Sequence, residues 1–388
     1  MGYKILYVTP FPHIGGGETA LLYLLEELKR KRRIPEVIVT SRGQLYSRLR
    51  KVNIKTHVID LSGYSIRILF MPGFSLSGIW HFLKLAKKIQ PSLIHINHPT
   101  LAIYAGIVGK ILKIPVVATS HGIWDCIYFY QDLATRIFCN RILPITPEVQ
   151  KCLTRRGIIN KDKTKVIYLG VDANRFKPAK SNVAAKKRWN INSTDLVVTM
   201  VARFDFVKDP LTFLKVATKV IEQIPNVTFL IVGDVKLNLE VESDMAIQVK
   251  RQLDGYINRH PRLKPHVIFT SFQEDVQPVY HATDILFSSS LAETLPMSFL
   301  EGAACGLPIV SLKLDSRHRI VQEGKNGFLA PPGRKDVLLK YLLTLLKDQD
   351  LREKFGRYSR KYVLDNFTIE RYVKEIEGIY QELFNERS

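Results

Sequence analysis

The chain opens on an apolar run, Tyr3–Thr9, closed by Pro10. A short run without polar alternation, rich in β-formers and stopped by proline, predicts a strand buried on both faces. Glu18–Arg30 follows with Leu21, Leu22, Leu25 and Leu28 at helical spacing. Glu36–Thr40, Leu93–Asn97 and Val116–Ser120 read as further strands, with a helix over Ala102–Leu112. Strand, helix, strand at this rhythm predicts a parallel sheet joined by right-handed crossovers. Gly170-Val171-Asp172 through Phe176-Lys177-Pro178 interrupts the pattern and reads as a linker.

A second α/β series then begins. Leu196–Ala202 is a strand, Pro210–Gln223 a helix, and Val227–Val232 a strand ended by Gly233-Asp234. Val267–Thr270, Ile285–Ser288 and Pro308–Ser311 are three more strands; Val337–Lys347 and Ile369–Phe384 are terminal helices. At 388 residues the chain exceeds one ordinary core. The expected architecture is α/β, with two Rossmann-like domains, parallel sheets and a cleft between them. The first domain spans 1–178, the second 179–368, and a final helix of about 369–388 packs back onto the first. Open sheets of this kind bind ligands beyond the carboxyl ends of their strands.

Composition narrows the class. Hydrophobic residues make up 46% and charged residues 24%, which suits a globular protein and excludes wholesale disorder. No apolar run is long enough to span a bilayer. Ile5–Val8 is too short and lacks the cleavage site of a signal peptide, and Leu6 stands where a myristoylation signal needs Ser or Thr. Cys126, Cys139 and Cys152, spaced by thirteen, fit no zinc pattern and read as unrelated buried thiols. The expected setting is cytoplasmic and reduced. The 57 lysines and arginines exceed the 36 carboxylates by 21; 27 cations and 10 carboxylates fall up to Pro178, leaving 30 and 26 after it. The excess therefore sits in the first half, where it would attract a polyanion: nucleic acid or an anionic membrane face.

Chemistry gathers at predicted strand ends. Gly15-Gly16-Gly17 lies between the first strand and the first helix, where glycines let amides approach an anion. Read as a dinucleotide fingerprint through Gly15, Gly17 and Ala20, it lacks the acidic residue at the next strand end; Arg42 stands nearby instead, so an NADP oxidoreductase is one alternative. Glu293 and Glu301 sit eight apart, in a strand–loop–helix segment with Pro296 at the helix start and Gly306 at its end. A carboxylate there can accept both hydroxyls of a ribose diol, and the loop amides can hold a diphosphate or a sugar. Arg203 and Lys208 occupy another βα loop and can stabilise a departing diphosphate. His121 ends the strand Val116–Ser120, placed to bond a substrate hydroxyl; His95 and His98, one strand earlier, read as structural. Asp348-Gln349-Asp350 resembles a metal-binding D-x-D but falls between helices, so it is read as a capping turn and no metal is expected.

Taken together these segments closely resemble the retaining group 1 glycosyltransferases of GT-B fold, the large family four. Glu293-x7-Glu301 matches its E-x7-E motif, and the run Glu301 to Pro308 its E-A-x-A-C-G-x-P segment. Ala202-Arg203 with Lys208-Asp209-Pro210 looks like its G-R…K-G/D-P segment. Gly170–Pro178 is similar to its interdomain linker, and Gly324–Pro332 to its late N-G-x-L-x-P-P turn. The resemblance implies a UDP- or GDP-sugar donor held by the C-terminal half. Arg203 and Lys208 would hold the diphosphate and Glu301 the ribose. Glu293 with the amides of Thr294 and Leu295 would meet the donor sugar, His121 would reach it from the other half, and Gly16 would approach the phosphate. Transfer would retain configuration, need no metal or other cofactor, and serve a glycan or lipid-linked acceptor in envelope polysaccharide, lipopolysaccharide or glycolipid synthesis. Other chemistries on this fold are epimerisation and phosphorolysis of sugars. Three departures stand out: Ala202 for the usual Gly, Thr294-Leu295 for G-F or G-L, and Leu314–Arg319 where the family often has G-G-x-x-E.

The basic half invites a partner. Lys29–Arg33 is a dense cationic run, and Trp80 and Leu83 beside Lys84, Lys87 and Lys88 give an apolar stripe next to a basic one, with Ile68–Met71 and Phe74–Phe82 apolar nearby. That is the form of an interfacial helix. The expectation is a peripheral protein docked on the inner face of an anionic membrane. Nucleic acid is the weaker partner, because no aromatic stacking platform accompanies the charge.

Overall fold

The structure is a computed structural model that describes residues 3–61, 67–68, 71–72, 75–126, 128–233, 244–314 and 319–386. The chain divides into two compact units. One runs to Gly170 and takes back the chain from Ile369; the other is Val171–Thr368. The division falls eight residues before the expected Pro178.

In the first unit β1 (Lys4–Thr9), β2 (Ile34–Val39) and β3 (Lys55–Val58) precede a short antiparallel hairpin of β4 (Arg67–Ile68) and β5 (Met71–Pro72). β6 (Leu93–Ile96), β7 (Val116–Ser120) and β8 (Arg141–Pro144) complete a six-stranded parallel sheet of order β3-β2-β1-β6-β7-β8. Its helices are α1 (Gly16–Arg30), α2 (Gln44–Lys51), α3 (Leu76–Ile89), α4 (Ala102–Leu112), α5 (Phe129–Phe138) and α6 (Pro147–Thr154). The central strands are buried along nearly their whole length, as a sheet covered on both faces requires. α4 packs between α3 and α5. The right-handed crossover rule puts these three on one face and α1 and α2 on the other.

The second unit repeats the plan. Its strands are β9 (Leu196–Val201), β10 (Val227–Val232), β11 (Val267–Thr270), β12 (Ile285–Ser288), β13 (Ile309–Leu312) and β14 (Gly327–Ala330), ordered β11-β10-β9-β12-β13-β14, all parallel. The helices are α7 (Val183–Lys187), α8 (Pro210–Ile221), α9 (Asp244–Arg259), α10 (Gln277–Ala282), α11 (Met297–Ala304), α12 (Lys335–Lys347) and α13 (Gln349–Asn366). Phe213 anchors the core, 5.5 Å from the Phe229 ring and 5.2 Å from that of Phe287. Asp348 caps α13, its Oδ1 accepting from the Leu351 amide at 2.8 Å, so the D-x-D segment is a helix start.

Two segments are held more closely than the sequence alone suggests. Residues 171–178 are not a free linker. Phe176 is fully buried against Tyr280, and Arg360 on α13 donates to the carbonyls of Ala173 and Phe176 at 2.9 and 2.6 Å. A segment whose carbonyls are taken by a guanidinium has lost the freedom of a hinge. The Lys29–Arg33 run is likewise not a bare cationic patch. Lys31 and Arg33 bind Glu377, 3.5 and 2.9 Å away, and Lys29 donates to the Val52 carbonyl at 2.7 Å. Glu377 lies on the last helix, α14 (Ile369–Asn385), which packs on α1. Tyr380 of α14 reaches the centre of the first sheet, 2.9 Å from the Tyr7 hydroxyl and 2.5 Å from His95 Nδ1. No described helix is long and apolar enough to cross a membrane.

Candidate active site

Each sheet has one topological switch point, where neighbouring strands send their connections in opposite directions: β1/β6 in the first unit and β9/β12 in the second. Loops part there and leave a crevice at the strands' carboxyl ends. The glycine loop, Arg203, Lys208 and Glu293 fall on these loops; His121 follows β7, one strand further along, and Glu301 lies inside α11.

In the second unit, the loop after β9 is stitched to the loop after β12. The Leu291 amide donates to the Val207 carbonyl at 2.7 Å, and Ser289 Oγ donates to the Asp209 carbonyl at 2.7 Å. Asp209 itself sits in the left-handed region at φ 46 and caps α8, accepting from the Thr212 amide at 3.1 Å. Aspartate tolerates that conformation better than most residues, and Pro210 then starts the helix. The tight turn fixes where Lys208 leaves the chain, and its ammonium forms an ion pair with Glu293. Both side chains are mostly buried, at 17% and 15% exposure, so the pair is poorly screened.

Arg203 lies on the same loop but turns to Asp205, 3.2 Å away, and its side chain is more than half exposed. Asp205 also accepts the Lys208 amide at 2.9 Å, so one carboxylate braces both cations' loop. Thr294 and Leu295 are buried. Pro296 precedes α11, and Gly306 past its end adopts φ +79, a conformation that a side chain would strain. Glu301, on the second turn of α11, is buried and accepts from the Tyr280 hydroxyl at 2.7 Å. The structure thus joins Lys208 to Glu293, puts Arg203 beside them in sequence with its own partner, and sets Glu301 against Tyr280. Of the loop 314–319, residues 315–318 lie outside the described residues, as do Asp234 and residues 69, 70, 73 and 74.

In the first unit the site is a buried hydrogen-bond array. Asp125 is fully buried; its Oδ2 accepts Ser120 Oγ at 2.8 Å and the His121 and Gly122 amides at 2.9 and 3.3 Å. Its Oδ1 meets His98 Nε2 at 2.6 Å. Burial pushes the Asp125 carboxyl up, but the His98 ring and these hydrogen bonds together hold it below its ordinary value. His121 is buried beside it, and burial lowers its imidazole to about 4, keeping the ring neutral. Asn97 connects His121 to the glycine loop: Nδ2 donates to the Gly17 carbonyl at 3.3 Å, which turns Oδ1 to His121 Nε2 at 3.1 Å. A Cβ on Gly17 would lie 3.2 Å from the His121 ring, whereas one on Gly16 would meet nothing within 4 Å. Gly17 is therefore the glycine the ring requires, and Gly16 the open one. His95, also buried and lowered to about 3, is a structural residue between Tyr380 and Thr119.

Sequence reasoning missed Asn97, Asp125, Asp205 and Tyr280. Asp125 carried a signal, a lone acid four residues after His121; Tyr280 carried none. His98 has the structural role its position suggests, since its bond to Asp125 supports the His121 turn. Of the thiols, Cys126 and Cys139 are buried but Cys152 is only half-buried.

Comparison with known proteins follows the same outline. Residues 182–362 match the family model described as glycosyl transferases group 1, and residues 14–175 that of glycosyltransferase family 4. The UDP-Gal:alpha-D-GlcNAc-diphosphoundecaprenol alpha-1,3-galactosyltransferase of Escherichia coli is 23% identical, over 97% of this chain and 96% of its own length. The N-acetyl-alpha-D-glucosaminyl L-malate synthase of Bacillus anthracis is 22% identical, over 98% of this chain and 97% of its own. A crystal structure of Anabaena Alr3699/HepE in complex with UDP and glucose superposes with a TM-score of 0.83 at 20% identity, covering 98% of this chain and 99% of that one.

Proposed function

The chain belongs to the group 1, family four glycosyltransferases of GT-B fold, and on that footing we propose that it moves a sugar from a UDP- or GDP-sugar to a glycan or lipid-linked acceptor of the cell envelope. The observation that carries this reading is the Lys208–Glu293 pair at the switch point of the second sheet. An ammonium held by a carboxylate can turn to a diphosphate when one arrives, leaving the carboxylate to accept from sugar hydroxyls. Arg203, exposed and on the same loop, adds a second cation. Glu301 accepts from the ribose diol, and the loop amides of Thr294 and Leu295 meet the sugar. Gly16, with open space at its Cα, lets the first unit's amides come close to a phosphate.

The bond from C1 to the diphosphate oxygen breaks through an oxocarbenium-like state, and the acceptor oxygen bonds to C1 on the same face. The departing diphosphate takes the acceptor's proton, so configuration is retained without an enzyme nucleophile. Lys208 and Arg203 stabilise the charge that grows on the leaving group. The neutral His121 ring offers the sugar a hydrogen-bond partner that carries no charge to compete with the diphosphate's cations.

A lipid-linked acceptor agrees with the diphosphoundecaprenol named for the Escherichia coli relative. It also agrees with an anionic membrane as docking surface at the cytoplasmic face, reached through α3, where Trp80 is 56% exposed and Lys84 lies 5.2 Å from its ring. The L-malate of the Bacillus anthracis relative favours a second reading, a small soluble acceptor.

A thermal-shift screen of nucleotide sugars identifies the donor. Transfer from that donor in the presence of EDTA, with the product's anomeric configuration read by NMR, tests the chemistry. Retention and undiminished activity are expected. Inversion, or loss of activity that added metal restores, contradicts the mechanism.

A further inference from the structure

The face of the first sheet that carries α3, α4 and α5 is unusually apolar on its outer side. α4 has a single charge, Lys110, in eleven residues, and Ile107 and Ile111 lie on its outward side, Ile111 at 55% exposure. On α5, Phe129, Leu133 and Ile137 repeat every four residues and are 62%, 43% and 48% exposed. Trp124 and Tyr128, both about half-exposed, extend this surface toward the turn that carries His121. Isolated exposed apolar residues are ordinary on a soluble protein, but a contiguous run over two neighbouring helices marks an interaction surface.

Crossover helices run antiparallel to their strands, so α3, α4 and α5 end at the same edge of the unit. Lys87 and Lys88, Lys110 and Lys113, and Arg136 stand at those ends. Between the ends of α4, α5 and α14 lies a cavity of about 350 Å³, lined by Lys110, Lys113, Lys163, Ile137, Leu383 and Glu386, whose carboxylate is paired with Arg141. Lys163 donates to the last carbonyls of α5, at 2.8 Å from that of Arg136, and the Lys110 ammonium sits 4.8 Å over the Phe138 ring. An apolar field bounded on one edge by cations fits one partner chemistry best: acyl chains below anionic headgroups.

We propose that the outer faces of α4 and α5 seat the protein on an anionic phospholipid bilayer, with a lipid phosphate taken at the cavity by Lys110 and Lys113. This rests on the membrane reading above and extends the contact beyond α3. It would also lead a lipid-linked acceptor along Trp124 toward the His121 turn.

The test is flotation of the full chain with vesicles of phosphatidylcholine, alone or mixed with phosphatidylglycerol. The variants are F129S/L133S/I137S, K110Q/K113Q and, on α3, W80S, each checked for an unchanged melting temperature and for unchanged binding of whichever of UDP and GDP the wild type takes. The expected result is a tenfold or greater loss of partition for the triple variant, and for K110Q/K113Q a loss on anionic vesicles only, roughly fivefold per lysine. Triple-variant and K110Q/K113Q proteins that float like the wild type, while W80S is released, overturn this seat and leave the membrane reading standing. A wild type that floats with neither vesicle overturns the membrane reading itself. If the triple variant fails to fold, K110Q/K113Q decides alone.

Discussion

The two switch-point sites are built on the same topology and opposite physics. The first unit's site is buried and braced: Asp125 holds His98 and the His121 amide, Asn97 holds the His121 ring, and the imidazole is kept neutral. The second unit's site holds an opposed pair of full charges in partial contact with solvent, and its arginine reaches outward. A locked array that presents a neutral imidazole suits a ligand group that needs orientation, such as a sugar hydroxyl. A reversible ion pair suits one that brings its own charge, because the cation can change partners without being left bare. The fold therefore repeats while the chemistry divides.

The sharpest way to break this contrast is on the charged side. Lys208→Ala and Glu293→Ala should each lower the transfer rate by about 10²–10³-fold, the scale for losing one preorganised electrostatic contact. Arg203→Ala should also cut transfer strongly. All three should keep the wild-type circular dichroism, since none is in the core. Near-normal turnover in two of the three would remove the assignment.

On the locked side, Gly17→Ala should cost about tenfold in turnover, because the new methyl would press the His121 ring out of place, as a misplacement of under an ångström can. Gly16→Ala, with open space around it, should change little in folding or in the His121 turn. Turnover of Gly17→Ala beside the wild type reads the effect; an unchanged rate would mean that the ring's position does not matter.

Acid should separate the units more gently. His121 and His95 are lowered by burial to about 4 and about 3, so the unfolded chain binds protons between those values and about 6.5 that the folded chain refuses. Stability supplied by the neutral rings is complete above about pH 6.5 and is lost as pH falls toward 4, on the order of a few kcal/mol in all. Thermal melts at pH 7 and pH 5 check the sign: the first unit should melt earlier at pH 5. A higher melting temperature at pH 5 would contradict the buried neutral state.

Much of this was legible in the chain because parallel α/β units write themselves plainly. Ala102–Leu112, Val116–Ser120, Val227–Val232, Val267–Thr270 and Ile285–Ser288 have the bounds that periodicity and flanking residues predict. Three of the strands that went unread, β3, β8 and β14, are sheet edges. An edge strand needs one partner and one good face, so Lys55–Val58 reads as polar and Gly327–Ala330 as a turn. The candidate loops were legible because strand ends at switch points are predictable places. Their wiring was not. Asp125 and Tyr280 act through contacts that local spacing does not encode, and the bonds of residues 171–178 to Arg360 depend on a residue about 185 positions away.

Calorimetric titration of nucleoside diphosphate, UDP and GDP in separate runs, into the wild-type protein and into Lys208→Ala is the most direct test of the charged site. The account predicts clear binding of one nucleotide by the wild type and a loss of about 100-fold in the variant, with the free nucleoside bound equally by both. Equal diphosphate affinity in the two proteins would contradict it.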